Sequence, residues 1–218
     1  VAAGIERVLG RTYLEIGDLL AADGHVRAAY ETHRKLHRPP HEDLAEDLSL
    51  MAETSWRRGR LASADSLGRE ALGMWRALHK GPHAGTAGAL IALGGINLDA
   101  SQLEVAEPLV REGLAMSQKL YPNGDRSVAV GFNSLGNVMH YSGRFDAADS
   151  LQRLALAMHR RLGGELNPDV EVDLLNLAQV EIDRGRFAAA ESLALLGLET
   201  GQRIFSGDHP DRVGGLIT

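Results

Sequence analysis

Apolar side chains recur along this chain at helical spacing, and the helices they imply recur at a fixed interval. Four segments begin Arg60-Leu61-Ala62-Ser63-Ala64, Gln102-Leu103-Glu104-Val105-Ala106, Arg144-Phe145-Asp146-Ala147-Ala148 and Arg186-Phe187-Ala188-Ala189-Ala190. The residues before them, Gly59, Ser101, Gly143 and Gly185, are each 42 positions apart. Each segment continues with Leu, then a small residue and Leu: Ala64, Leu67, Ala71, Leu72; Ala106, Leu109, Gly113, Leu114; Ala148, Leu151, Ala155, Leu156; Ala190, Leu193, Gly197, Leu198. Spacings of three, four and seven put these side chains on one face of a helix. Small residues there mark where a neighbouring helix crosses closely. Another helix precedes each turn and carries a large apolar residue followed by a small one. The pairs are Met51-Ala52, Leu93-Gly94, Leu135-Gly136 and Leu177-Ala178, with Ile16-Gly17 as their counterpart at the start. Two helices per fixed period predict a stacked repeat rather than a domain around one central core.

Punctuation between the patterns sets the boundaries. Gly after each first helix supplies a left-handed turn residue, and Ser101 is the exception. Pro and Asp separate the units at Pro39-Pro40, Pro82, Pro122, Pro168-Asp169 and Pro210-Asp211. Proline opens a helix well but cannot continue one, and Asp is a good N-cap. The expected helices are 4–22, 25–37, 42–58, 61–79, 84–100, 103–120, 126–142, 145–162, 168–184 and 187–204, with an eleventh starting near Pro210. Pro108 falls early in its helix, where a missing N–H matters least. The units are then about 4–40, 41–82, 83–124, 125–166 and 167–208, in a single domain, with a partial helix over 209–218. Taking Gly24 as the first turn leaves 35 residues to Gly59, so the first unit reads as shortened.

Charge and composition narrow the function. The net charge of −6 and the lack of a basic run argue against nucleic acid and anionic membrane as partners. The chain has no Cys, which removes disulfides and thiolate chemistry and suits a reducing, cytoplasmic setting. No apolar run is long enough to span a bilayer. The chain opens at Val1 and ends at Thr218 inside a pattern that should continue, so it reads as a piece of a longer protein.

The large-small pair, the turn Gly, the Ala and the small-Leu step resemble the tetratricopeptide repeat. Asn167-Pro168-Asp169-Val170, Leu174-Leu175-Asn176-Leu177-Ala178, Gly185-Arg186-Phe187, His209-Pro210-Asp211 and Ala106-Glu107-Pro108-Leu109 resemble the longer repeat of the kinesin-light-chain type. The resemblance covers about residues 4–218 and implies an all-α, right-handed α-solenoid of about five units plus a truncated sixth. It implies a non-catalytic scaffold that binds a protein or peptide in a concave groove lined by the first helices. A sensor or self-association region of a larger bacterial regulator, such as a protein kinase, is the alternative. The sequence departs from the family pattern at Ala84-Gly85-Thr86, where Pro-Asp-Val is expected. It departs again at Ser55, Asn97, Met139 and Glu181, which replace a usual aromatic and predict weaker helix contacts there.

Residues matching the groove positions are Glu53, Trp56 and Arg57 in the second unit. Asn133, Asn137, His140 and Tyr141 match them in the fourth, and Asn176 and Gln179 in the fifth. Asn133 and Asn137 are four apart, so both point one way. A side-chain amide both donates and accepts, which suits gripping an extended backbone. An ordinary polar helix face is the simpler alternative. Trp56 and Tyr141 are candidate anchors, Trp56 equally a packing residue between units. The acidic residues Glu15, Asp18, Glu46 and Glu53 would favour a basic ligand.

His33, His37 and His41 invite a metal reading, but His37 and His41 recur 42 residues later as His79 and His83. Repetition in register reads as shared ancestry at the inter-unit loop, so no metal and no cofactor are expected. Neither is a catalytic site: the serines lack a His/Asp partner pattern, and Gly94-Gly95 lies mid-helix rather than after a strand. Self-association through a truncated C-terminal helix at Val213, Leu216 and Ile217 is a further expectation.

Overall fold

The computed structural model describes residues 1–204, and all regular structure among them is α-helical. The helices are α1 (Ala2–Glu15), α2 (Leu19–Leu36), α3 (Glu42–Arg57), α4 (Leu61–Leu78), α5 (Ala84–Asp99), α6 (Leu103–Leu120), α7 (Arg126–Tyr141), α8 (Phe145–Gly163), α9 (Pro168–Asp183) and α10 (Phe187–Ile204). The expected eleventh helix and the C-terminal self-association surface lie outside the described residues. No described helix is long and apolar enough to cross a membrane.

The helices form pairs, α1/α2 through α9/α10, in two compact units, Val1–Met116 and Ser117–Thr218. In the first unit α1 packs on α2, α2 on α3, α3 on α4 and α4 on α5, with lighter α1–α3 and α3–α5 contacts. In the second unit α7 packs on α8, α8 on α9 and α9 on α10, and α7 also touches α9. Within each unit the helices bury apolar side chains against their sequence neighbours, which is how a stacked repeat acquires a core.

The turn chemistry explains the ruler. Gly59, Gly143 and Gly185 have φ of 72°, 72° and 73°, a region open to Gly at little cost. Their turns close by backbone bonds from Arg60 N–H to Ser55 C=O, Arg144 to Met139 and Arg186 to Glu181. These satisfy carbonyls that the helix end leaves free. Ser101 adopts the same conformation, φ 59°, without being Gly, and Gln102 closes its turn on Asn97.

The first turn corrects the sequence reading. It lies at Gly17, φ 83°, and not at Gly24, which sits inside α2. Gly17 is 42 residues before Gly59, so the first unit has full length. Two side-chain roles follow. Asp18, expected on the binding face, caps α2 by accepting from Ala21 N–H at 3.0 Å. The large-small pair of α1 is Leu9-Gly10 rather than Ile16-Gly17: a Cβ on Gly10 would stand 2.5 Å from Val26 Cγ2. Gly94 makes the same close crossing with Val110. The sequence misled because Ile16-Gly17 looks like a packing pair when only local pattern is read.

The first unit is centred on Leu44, Leu48, Leu90 and Leu93, with Ala71, Leu72 and Trp75 from α4 packed against them. The second is centred on Leu156, Val170, Leu174 and Leu177. The four non-aromatic positions noted in the sequence are all buried: Ser55, Asn97, Met139 and Glu181. Two of them find polar partners. Asn97 Nδ2 donates to Asp65 at 2.9 Å and to Leu93 C=O at 2.8 Å, and Glu181 pairs with Arg184 at 3.3 Å. An aromatic does stand at this register in the first repeat, where Tyr13 stacks on His25 with ring centroids 5.2 Å apart.

Candidate functional site

Every first helix keeps one face free of its partner helices. Counted at the 42-residue register, that face carries four positions. On α7 they are Val130, Ser134, Asn137 and Tyr141, and on α9 they are Val172, Asn176, Gln179 and Asp183. Their spacing of four, three and four residues keeps them in one row along the helix. All eight are partly or fully exposed.

In the second unit this face is neutral apart from Asp183. Tyr141 is 67% exposed, a large aromatic with a polar tip presented to solvent. Asn137, Asn176 and Gln179 add partly exposed amides. The structure separates the two asparagines that the sequence grouped. Asn133 lies off the open row and turns inward, where Nδ2 donates to Asp173 Oδ1 at 2.6 Å and Gln152 Oε1 at 3.1 Å. Asn137 accepts from Gln152 Nε2 at 2.6 Å and donates to Asn133 at 3.4 Å. An amide holds two donor hydrogens and two acceptor lone pairs, so Asn137 retains capacity for a ligand while its orientation is fixed. His140 is not free either. It hydrogen-bonds to the Asp183 carboxylate and ties α7 to α9. That bond holds the Asp183 carboxyl below its ordinary value.

In the first unit the open face is charged. Glu53 and Arg57 are exposed, as are Arg11, Glu15 and Asp99. Much of this charge is paired. Glu46 receives Arg7 and Arg11, each at 2.6 Å, and Asp43 receives Arg7 at 2.6 Å. Arg7 thereby lowers the pKa of Asp43. Arg57 donates to the Leu14 carbonyl near the C-terminus of α1, where a cation complements the helix dipole. Trp56 lies over Gly95, its ring 2.6 Å from where a Cβ would sit, and Nε1–H donates to Asp99 at 2.6 Å. Trp56 thus packs between repeats, as His140 does in the second unit at the same register.

Sequence reasoning missed two buried triads. His33 Nδ1 lies 2.6 Å from Asp47 Oδ2, with Arg7 Nε 3.6 Å from the other Asp47 oxygen. His159 Nδ1 lies 2.7 Å from Asp173 Oδ2, with Asn133 on the other oxygen. Residues 7, 33 and 47 map onto 133, 159 and 173 by three steps of 42. Burial pushes the Asp47 carboxyl up, against the lowering by His33 and Arg7. The signal was available: a buried register holding Ala89 and Gly131 in other repeats carries Asp in these two.

His37, His41, His79 and His83 cluster between repeats. His41 and His83 occupy the N-cap positions of α3 and α5, accepting from Asp43 and Gly85 N–H at 3.2 Å each. Each is stacked on the histidine four residues earlier, at 3.7 Å for His37/His41 and 3.6 Å for His79/His83. Asp125 and Asn167 fill the same cap in the later repeats.

The sequence over residues 127–200 matches the family model for the tetratricopeptide repeat. No curated protein sequence matches significantly. Among solved structures, BtubC (BKLC) from P. vanneervenii superposes with a TM-score of 0.71 at 26% identity, covering 94% of this chain and 81% of that one. A putative kinesin light chain from Podosopora anserina, built of nearly identical tetratricopeptide-like repeats, gives 0.67 at 15% identity over 93% and 96%. A Rap protein complexed with Competence and Sporulation Factor gives 0.81 at 14% identity, covering 93% of this chain and 55% of that one. A Rap conjugation gene regulator in complex with the Phr* peptide gives 0.74 at 16% identity over 91% and 53%. Residues 127–200 match the tetratricopeptide-repeat family, and the paired helices at a 42-residue register carry the same fold through the described residues, as the superposed structures do.

Proposed function

We propose that the chain is a non-catalytic scaffold whose open first-helix face in the second unit binds an extended peptide segment of a partner protein. The observation that carries this is the exposed Tyr141 beside a row of partly exposed amides, Asn137, Asn176 and Gln179, of which Asn137 is held from beneath by Gln152. An exposed aromatic with a polar tip gains more from burial against a ligand than any aliphatic on this face. The amides offer both donors and acceptors to a peptide backbone and so tolerate varied ligand sequence. Asn133 serves here as a positioning residue for Asn137. Glu53, Trp56 and Arg57 form a separate charged face on the first unit, with Trp56 fixed by Asp99 and Arg57 by α1. The Rap structures with bound factor or peptide lend the reading support at the level of fold, as does the regulator among them for a regulatory role.

The test is selection from a peptide display library on the purified chain, followed by titration of the recovered peptide. Tyr141→Ala should weaken binding about tenfold or more, the range for an aromatic anchor. Asn137→Ala should weaken it less, and Arg57→Ala should leave it unchanged. Equal binding by Tyr141→Ala would remove this face from consideration.

A further inference from the structure

We propose that Glu42, His79 and His83 form a binding site for a divalent transition-metal ion of the zinc class, at the junction of the second and third repeats. Three observations converge. First, the ligand atoms of these residues all lie within 4.8 Å of one another. Two imidazoles and one carboxylate are a donor set suited to zinc with water completing the shell. Second, His79 Nε2 stands 3.1 Å from Glu42 Oε1, yet it makes no hydrogen bond and is itself shielded from solvent. A shielded nitrogen that faces a carboxylate without a hydrogen bond to it calls for a reason. Two ligands of one tetrahedral zinc, each at about 2.0–2.1 Å, are separated by about 3.3 Å, close to this spacing. Third, the cap role alone does not explain the histidines. Asp125 and Asn167 perform the same capping in later repeats, each accepting from the N–H two residues on.

The neighbouring set, His37, His41 and Asp43, is the poorer candidate although its atoms are equally close. Its Asp43 carboxylate already carries a guanidinium, Arg7 on Oδ1 at 2.6 Å, so the Oδ2 that faces His37 and His41 at 3.5 and 3.6 Å is a weaker donor to a cation. Glu42 carries no such partner among the described contacts other than His79, and its side chain is largely exposed, which leaves the site open to entry. His83 caps α5 through Nδ1, leaving Nε2 for the metal. The two rings stack almost parallel, 7° apart, so their nitrogens converge on one ion only after the rings turn out of the stack. Trp75 lies against both, with centroids 5.9 Å from His79 and 5.2 Å from His83, and therefore reports that movement.

The experiment is calorimetric titration of the chelator-treated chain with zinc chloride, repeated with cobalt chloride under visible absorption, with tryptophan fluorescence recorded throughout. One ion per chain is expected, with a change in fluorescence and a cobalt spectrum of low coordination number. Glu42→Gln, His79→Gln and His83→Asn should each weaken uptake by about tenfold or more, the scale of losing one donor. The last keeps a cap, as Asn167 does in its repeat. His37→Gln should not weaken uptake, and circular dichroism should show every variant folded. The proposal fails if there is no saturable uptake, if His79→Gln binds as wild type does, or if His37→Gln loses uptake equally.

Discussion

The two units solve the same burial problem with different chemistry. Each carries a His–Asp pair at one register, and each Asp is reached by a residue from the preceding first helix. In the first unit that residue is Arg7, and in the second it is Asn133. The first unit therefore sets a cation beside its buried carboxylate, and the second offers only a neutral amide. The same difference shows on the surface: a paired, charged open face on α1 and α3, and an amide-aromatic face on α7 and α9. A repeat array keeps its backbone register while the polar content of each repeat varies. That variation is where one region becomes a rigid ionic lattice and another becomes a surface for a ligand.

Removing the histidines breaks this comparison most sharply. His159→Ala removes the buried partner of Asp173 and leaves only Asn133 on that carboxyl, and should cost about 3–5 kcal/mol in chemical denaturation, the range for breaking a buried pair. His33→Ala should cost less, because Arg7 remains 3.6 Å from Asp47. Arg7→Asn converts the first triad to the form of the second. The cost of His33→Ala in that background should then rise to match His159→Ala, measured as a double-mutant cycle. Equal costs for the two single variants would show that the guanidinium does not compensate the carboxylate.

Acid unfolding sharpens the comparison on a smaller scale. Asp43 in the first unit and Asp183 in the second are both held below the ordinary carboxylate range, by hydrogen bonds from Arg7 and His140 respectively. A depressed carboxylate contributes stability above its unfolded value, about 3.9, and that contribution is lost as pH falls through the folded value. Both Asp43→Asn and Asp183→Asn should therefore flatten the loss of stability below about pH 4. The two carboxylates are about equally exposed, so the effect should be larger for Asp43, which faces the permanent cation of Arg7, than for Asp183, which faces the imidazole of His140. Following the unfolding midpoint in urea from neutral pH downward decides the order.

The repeat itself was legible because turn Gly, crossing residues and apolar stripes all agree at one period. Eight helices lie within one residue of their sequence assignment. The first pair failed because α1 has no complete repeat before it in the sequence, so Gly24 competed with Gly17 on local pattern alone. The candidate site was legible only in outline. Residues on an open face, such as Tyr141 and Gln179, follow from helical spacing. Whether an amide there points out or in does not, because it depends on the partners it meets: Asn133 turns inward to Asp173 and to Gln152, which stands where α2, α4 and α6 carry Val or Gly. Likewise a stacked His79/His83 pair beside Glu42 depends on how one repeat's end meets the loop before, which the pattern within a repeat does not specify.

The smallest expected effect tests the turns, where the units differ by one side chain. Ser101 holds a left-handed conformation that Gly143 and Gly185 adopt in the second unit. A side chain in that region costs about 1–2 kcal/mol per residue, offset in part by the extra freedom Gly brings to the unfolded chain. Ser101→Gly should therefore raise stability by about 0.5–1 kcal/mol. Gly143→Ala and Gly185→Ala should lower it by a similar amount, since a Cβ at either meets nothing within 4 Å and only the backbone conformation resists it. Thermal unfolding of the three variants separates conformational strain from packing. If Ser101→Gly destabilises, then the serine hydroxyl contributes more than its backbone costs, and the exception at the third repeat is a stabilising feature of the first unit rather than a tolerated lapse in the period.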